Sequence, residues 1–386
     1  MPIRNGKILF RFIFKILREK TGFFFVPFKS KYSIIIIIIL FYLLLQLTSM
    51  INEHFFELDS LAFEMEPPLP SPLAATQCVA LGDEILICGG FDNKNCYSYH
   101  CIKKEYKWVC SYPNEVNLKA HIVVKLAPKM SARTVSRKTT ETTTMATLLS
   151  FGGSYRHHLS YHTLVMKYHS VWKKRTKGGH KNEWVSLRSR DVFGKKQQMD
   201  LLGARAWLGG ANEDLLFVTR HPNNIDVIDI NTFRYIDSIK HTRLPVSTEN
   251  KVCFHCFVGL TCHQFILISD NESLLIEFDE INRIFFYHML AQCPSFTSYL
   301  VYAYAYLSDY IFIFGGNDQN YNQTNDVIFS YSISLDLWKE YSTSQIPFFT
   351  RACAAVALTH TRPFSIHIFG GKDHINHSQN IHCNCR

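Results

Sequence analysis

From Pro67 onward the chain alternates short apolar, β-branched and aromatic runs with clusters of Gly, Asn, Asp, Ser and Pro. The clearest unit is Tyr310 to Trp338, YIFIFGGNDQNYNQTNDVIFSYSISLDLW. An apolar run ends in Gly315-Gly316, a polar loop follows, a second run carries Tyr331, and Trp338 comes seven residues later. Runs of this composition between turn residues predict strands. A glycine pair closing a strand supplies backbone able to take positive φ or to approach a neighbour closely.

The same order of features recurs about every 56 residues, the scale of a repeat unit. Unit one has ATQCVAL, EILICGG (Gly89-Gly90), Tyr99 and Tyr106. Unit two has KAHIVVKLA, MATLLSFGG (Gly152-Gly153), Tyr168 and Trp184; its aromatic spacing of sixteen becomes seven once KKRTKGGHK is treated as an insertion. Units three and four lack the glycines but keep the spacing, with Ile228 seven before Tyr235 and Phe278 seven before Phe285. Unit six has RACAAVAL and SIHIFGG (Gly370-Gly371), then stops after NIHCNCR, one strand short. Prolines 70, 245, 294 and 347 stand before new units, where proline suits a connection.

Paired glycines after an apolar strand, then Tyr, then Trp at a short fixed distance, resemble the kelch repeat. The resemblance covers residues 67–386 and is fullest in units one, two and five, although Tyr106 replaces the Trp of unit one. It implies an all-β kelch-type β-propeller of six four-stranded blades, with blades three and four degenerate and the last truncated. A ring must manage its closing edge, since an unpaired strand invites foreign pairing. Phe55–Phe63, FFELDSLAF, is the expected source of the missing strand. Some kelch-like propellers are copper oxidases with tyrosine and histidine ligands, and no motif here matches those positions.

Upstream, residues 33–50 (SIIIIIILFYLLLQLTSM) are uncharged and just long enough to cross a hydrocarbon core as a transmembrane helix. Residues 1–32 form a basic segment, within which 8–18 could line an interfacial helix. Residues 51–66 are an acid-bearing linker. Lys and Arg on the N-terminal side predict a single pass with a cytoplasmic N-terminus. The competing reading is a soluble cytosolic adaptor whose apolar tract is not a span.

Composition sharpens this picture in two places. The formal net charge is +9, but residues 1–32 carry +7 of it, leaving a near-neutral domain that gives no reason to expect nucleic acid. The 47% apolar and 14% aromatic content supports a large core rather than long disorder. Twelve cysteines from Cys78 to Cys385 are irregularly spaced and read as free, strand-buried thiols.

Cys253, His255, Cys256, Cys262 and His263 are the densest metal-type group, followed by His374, His377, His382, Cys383 and Cys385. Strand-like alternation works against convergence of either set on one ion. Lys177-Gly178-Gly179-His180 lacks the phosphate-loop pattern, and the sequons at Asn271, Asn322 and Asn376 are glycan acceptors only in a lumenal setting. No catalytic, cofactor-binding or metal-binding residue is nominated. Blade two does carry two basic insertions. Residues 128–144 supply Lys129, Arg133, Arg137 and Lys138; residues 173–181 supply Lys173, Lys174, Arg175, Lys177 and Lys181. Joining strands one to two and three to four, both leave one face of an up-and-down blade. The expectation is a membrane-anchored, non-enzymatic binding or scaffolding module whose basic rim suits acidic or phosphorylated protein segments, phosphates or anionic headgroups. An oxidase-type enzyme is the remoter alternative.

Overall fold

The computed structural model describes residues 62–91, 93–116, 118, 120–127, 145–153, 162–173, 181–187, 193, 201–247, 252–269, 272–296, 301–316, 327–342, 353–357, 365–373 and 375–385; side chains of 342 and 353–357 are not described. Phe63–Arg386 forms one compact unit. The expected span at 33–50 lies outside the described residues, among which no helix is long and apolar enough to cross a membrane.

Every described strand belongs to one of six four-stranded antiparallel sheets, the blades of a propeller. β1 (Phe63–Met65) comes first in sequence. Blade one is β2 (Gln77–Leu81), β3 (Glu84–Gly90), β4 (Asn93–His100) and β5 (Glu105–Ser111). Blade two is β6 (His121–Leu126), β7 (Met145–Gly152), β8 (Thr163–His169) and β9 (Val185–Ser186). Blade three is β10 (Arg205–Gly209), β11 (Leu215–Arg220), β12 (Asn224–Asp229) and β13 (Arg234–Tyr235). Blade four is β14 (Cys256–Gly259), β15 (Gln264–Ser269), β16 (Glu272–Asp279) and β17 (Ile284–Met289). Blade five is β18 (Ala303–Leu307), β19 (Tyr310–Phe314), β20 (Val327–Ser332) and β21 (Leu337–Ser342). Blade six begins with β22 (Cys353–Ala357), β23 (Ser365–Phe369) and β24 (His382–Cys385).

The second strands of blades one, four and five carry unbroken apolar runs, as expected of strands covered on both faces: Ile85–Cys88, Phe265–Ile268 and Ile311–Phe314 are buried throughout. Outer strands alternate instead. In β17, Phe285 is buried while Phe286 and Met289 are exposed.

The seven-residue spacing is a register device. Tyr99 faces Tyr106, Ile228 faces Tyr235, Phe278 faces Phe285 and Tyr331 faces Trp338 directly across the third and fourth strands. The three aromatic pairs bring ring centroids to 4.8, 4.7 and 5.1 Å, and such cross-strand pairs each contribute up to about 1 kcal/mol. Each turn between them holds a non-glycine residue at positive φ just before the fourth strand: Lys104, Phe233, Arg283 and Asp336. Blade two departs from the expected register. β8 pairs β9 through Leu164 with Ser186 and Val165 with Val185, so Trp184 precedes the ladder and does not oppose Tyr168. It stacks on Tyr112 at 4.6 Å, filling the seam with blade one.

The C-terminal unit supplies three strands of blade six, and the N-terminal side supplies the fourth. β1 pairs antiparallel with β24, Phe63 opposite Cys385 and Met65 opposite Cys383. The closing strand is thus Phe63–Met65, meeting the expected Phe55–Phe63 only at its last residue; 55–61 lie outside the described residues. A buried polar network locks this junction to blade one. Glu66 accepts from Tyr99 Oη (2.9 Å), Asn384 Nδ2 (3.1 Å) and Lys104 Nζ (3.0 Å). Burial alone would raise the Glu66 pKa, but these donors, with Asn384 foremost, outweigh it and hold the carboxyl below its usual range. Behind it, Tyr106 O–H can donate to His382 Nδ1 (2.7 Å), His382 Nε2–H to His367 Nδ1 (2.8 Å), and His367 Nε2–H to Ser365 Oγ (3.0 Å). That set satisfies two neutral rings, consistent with burial keeping the His382 pKa well below that of a free histidine.

Candidate functional site

The first strands surround a central channel of about 700 Å³, within the size range of small-molecule sites. Its described lining comes mainly from β2, β6, β10, β14 and β18; Ala and Val are its commonest members, beside aromatic residues such as Trp207, Phe257, Tyr304 and Tyr306 and the charged Lys125, Arg205 and Glu213. A repeated backbone device builds the channel mouth. Ala75, Ala120, Gly203, Phe254 and Val301 all take positive φ immediately ahead of an inner strand. The next residue in each case, Thr76, His121, Ala204, His255 or Tyr302, is turned into the seam and buried. Tyr302 Oη donates to Ile268 O (2.8 Å) and accepts from Cys256 N (2.9 Å). His121 Nε2 lies 3.0 Å from Cys88 O, and His255 Nε2 lies 2.6 Å from Thr219 Oγ1. Ile268, Cys88 and Thr219 all stand on the second strand of the preceding blade. No motif flags them in the sequence, because the residue types differ while the backbone position repeats.

Arg205, the first residue of β10, places a cation at this mouth. Its Nε donates to His255 O (2.9 Å) and its guanidinium lies 5.7 Å from the Tyr304 ring centroid. His255 carries a consequence. Burial, reinforced by the Arg205 charge, keeps its pKa well below the ordinary 6.5, and its Nδ1 is buried with no partner among the described residues. The native ring stays neutral, so below pH 6.5 the unfolded chain binds a proton that the native chain refuses. Stability is then complete above pH 6.5 and lost below it at about 1.4 kcal/mol per pH unit from this residue. Urea unfolding at pH 7 and pH 5 should show a His255→Gln variant losing about 2 kcal/mol less than wild type across that interval.

The opposite face carries the connections from first to second and third to fourth strands. Of the basic residues assigned to it, Lys129, Arg133, Arg137, Lys138, Lys174, Arg175 and Lys177 lie outside the described residues. Lys173 and Lys181 are described and exposed. Both insertions join the expected strands: 128–144 falls between β6 and β7, and 173–181 between β8 and β9. At the root of the second, Trp172 forms a shelf missed by sequence reading. Lys107 Nζ stands 4.3 Å and Lys103 Nζ 5.1 Å from its ring centroid, and its Nε1 donates to Ser98 Oγ (2.9 Å). Both lysines come from blade one, so the shelf bridges two blades.

Among the described residues no group of three His, Cys, Asp or Glu side chains is placed to hold a metal. His263 Nε2 contacts Glu280 (2.6 Å) and its Nδ1 lies 3.2 Å from Cys262 Sγ, while Cys256 is buried in the ladder with β15. His382 belongs to the closure network, Cys383 and Cys385 are buried beside β1, and His377 is exposed; His374 is outside the described residues. Of the sequon asparagines, Asn376 is exposed and the other two are not described.

No protein-family model and no curated protein matches the chain. Solved structures do: the chain is similar to that of YjhT, with 12% identity and a TM-score of 0.58, over 83% of this chain and 96% of that one. At this identity the likeness shows the fold, a six-bladed propeller, and the fold alone.

Proposed function

We propose that this chain is a membrane-anchored, kelch-like propeller that acts as a non-enzymatic binding or scaffolding module. Its partner is an acidic or phosphorylated protein segment, taken up by the face of blades one and two. The observation carrying this reading is the pair of ammonium groups, Lys103 and Lys107, held over the Trp172 ring at the root of one basic insertion, between the strands that the expected topology puts on the same face as the other. Two ammonium groups held over one indole concentrate positive charge on this face, which suits a carboxylate- or phosphate-bearing strand.

A fluorescent hexaglutamate peptide and its phosphoserine counterpart should bind the protein, more tightly at low salt. Replacing Lys103, Lys107, Lys173 and Lys181 together by Ala should weaken binding about tenfold, since four exposed charges at a few tenths of a kcal/mol each sum to that factor. Equal affinity for wild type and the fourfold variant would sink the assignment. The anchor is tested separately: full-length protein should resist carbonate extraction from membranes, and release by carbonate would remove it.

A further inference from the structure

Blade one places three cysteines side by side on one face of its sheet. Cys88 on β3 faces Cys96 on β4, and Cys96 also faces Cys110 on β5. All three are buried in the same cluster, and none of the eleven described cysteines is in a disulfide. The two pairs differ in kind. Cys101 N donates to Asp83 O (2.9 Å), marking that pair as hydrogen-bonded; alternation along the ladder then makes Cys88 and Cys96 a non-hydrogen-bonded pair. Tyr112 N donates to Lys94 O (2.8 Å), and the same counting makes Cys96 and Cys110 a hydrogen-bonded pair. The assignments agree, because Cys96 can point its backbone groups toward only one neighbour. Non-hydrogen-bonded partners have Cα atoms about 4.5 Å apart and closer side chains, against about 5.5 Å for the other kind. A disulfide needs roughly 4.4–6.8 Å, so both are in range and the first brings its thiols nearer. Cys110 has another neighbour, with its Sγ 3.6 Å from Met166 Sδ.

We propose that Cys88 and Cys96 form a cross-strand disulfide site, closed by thiol–disulfide exchange with a small-molecule disulfide or a disulfide-bearing oxidoreductase. The Cys96 thiolate attacks the reagent disulfide and expels one thiolate. The Cys88 thiolate then attacks Cys96 Sγ in the mixed disulfide and expels the second. Two protein thiols lose two protons and two electrons, and one reagent disulfide becomes two thiols. Burial raises the Cys96 pKa and shields both sulfurs, so exchange takes place while blade one is still open during folding. The bond would tie the second strand to the third beside Gly89, below the seam where His121 meets Cys88 O. It would be present only in a chain folded in an oxidising compartment.

The test is to fold the full-length chain with reduced and oxidised glutathione, block thiols with N-ethylmaleimide in denaturant, and digest without reductant. Cleavage after Glu84, Lys94 and Lys107 separates the three cysteines, and fragmentation distinguishes Cys96 from Cys101 on the same peptide. The expected result is a Cys88–Cys96 linked pair, lighter than its two free peptides by two hydrogens, with Cys110 carrying maleimide. Cys110→Ala should retain the link, and Cys96→Ala should remove it. Wild-type protein folded with oxidised glutathione should melt a few degrees higher than the same sample after reduction, a readout that needs no variant to fold. Maleimide on all three cysteines, or Cys96 linked elsewhere, would overturn the proposal.

Discussion

A chain lacking residues 1–66 is expected to melt about 10 °C below the full-length protein, because a loss on the order of 5 kcal/mol shifts a domain of this size by roughly that much. The deletion removes β1, leaving β24 as an unpaired edge with Cys383 to Cys385 without their partners. It also removes the Glu66 carboxylate, stranding the buried Tyr99 hydroxyl and Asn384 amide, and the backbone bond from Glu66 N to His382 O (2.9 Å). Each buried polar group left unpaired costs about 1–3 kcal/mol. The damage should be local first, so hydrogen exchange in β23 and β24 should accelerate more than in β15. Glu66→Gln keeps the strand and one acceptor oxygen and should lose about half as much. An unchanged melting temperature and uniform exchange would mean that β1 does not close the ring.

Gly370→Ala is expected to cost about 4 kcal/mol, and Gly82→Ala only about 1 kcal/mol, a contrast that separates strain from collision. Both glycines sit near φ +60°, so the backbone penalty of an L side chain is shared. Around Gly82 a Cβ would meet nothing within 4 Å; at Gly370 it would be driven into the Leu73 carbonyl oxygen. That oxygen cannot retreat freely. It accepts from Gly371 N (2.8 Å), while Leu73 N donates to Gln379 O (2.9 Å). The collision therefore transmits to the connection between blades six and one. Equilibrium urea unfolding of the two variants checks the difference; equal losses would show that the crossing chain can shift.

Much of the blade plan could be read in advance because it is local. Facing residues such as Phe278 and Phe285 are seven apart whatever the ring does, since a short turn between two antiparallel strands sets their register. The device fails where the turn is replaced: the insertion in blade two leaves Trp184 outside the ladder, and counting residues through a loop does not recover it. The basic charge of blade two was equally visible, as were the strands its two insertions join. The lysine-flanked Trp172 was not, because its lysines come from another blade.

The sequence alone determined the strand character, the six-unit repeat, and the glycine pairs where one backbone must pass another. These depend on side-chain pattern and on φ, which neighbouring residues set. Only the tertiary structure decided that Phe63–Met65 completes blade six, that Glu66 and His382 lock the junction, and that Cys88 and Cys96 are opposite partners. The closing strand and its partner are more than 300 residues apart. A strand of only three residues, Phe-Glu-Met, has too little intrinsic preference to fix its own bounds; it is a strand because β24 offers an open edge. The histidines behave likewise. Seam position, not residue type, makes His255 and His382 neutral structural groups, since burial against neighbouring blades is a property of the closed ring.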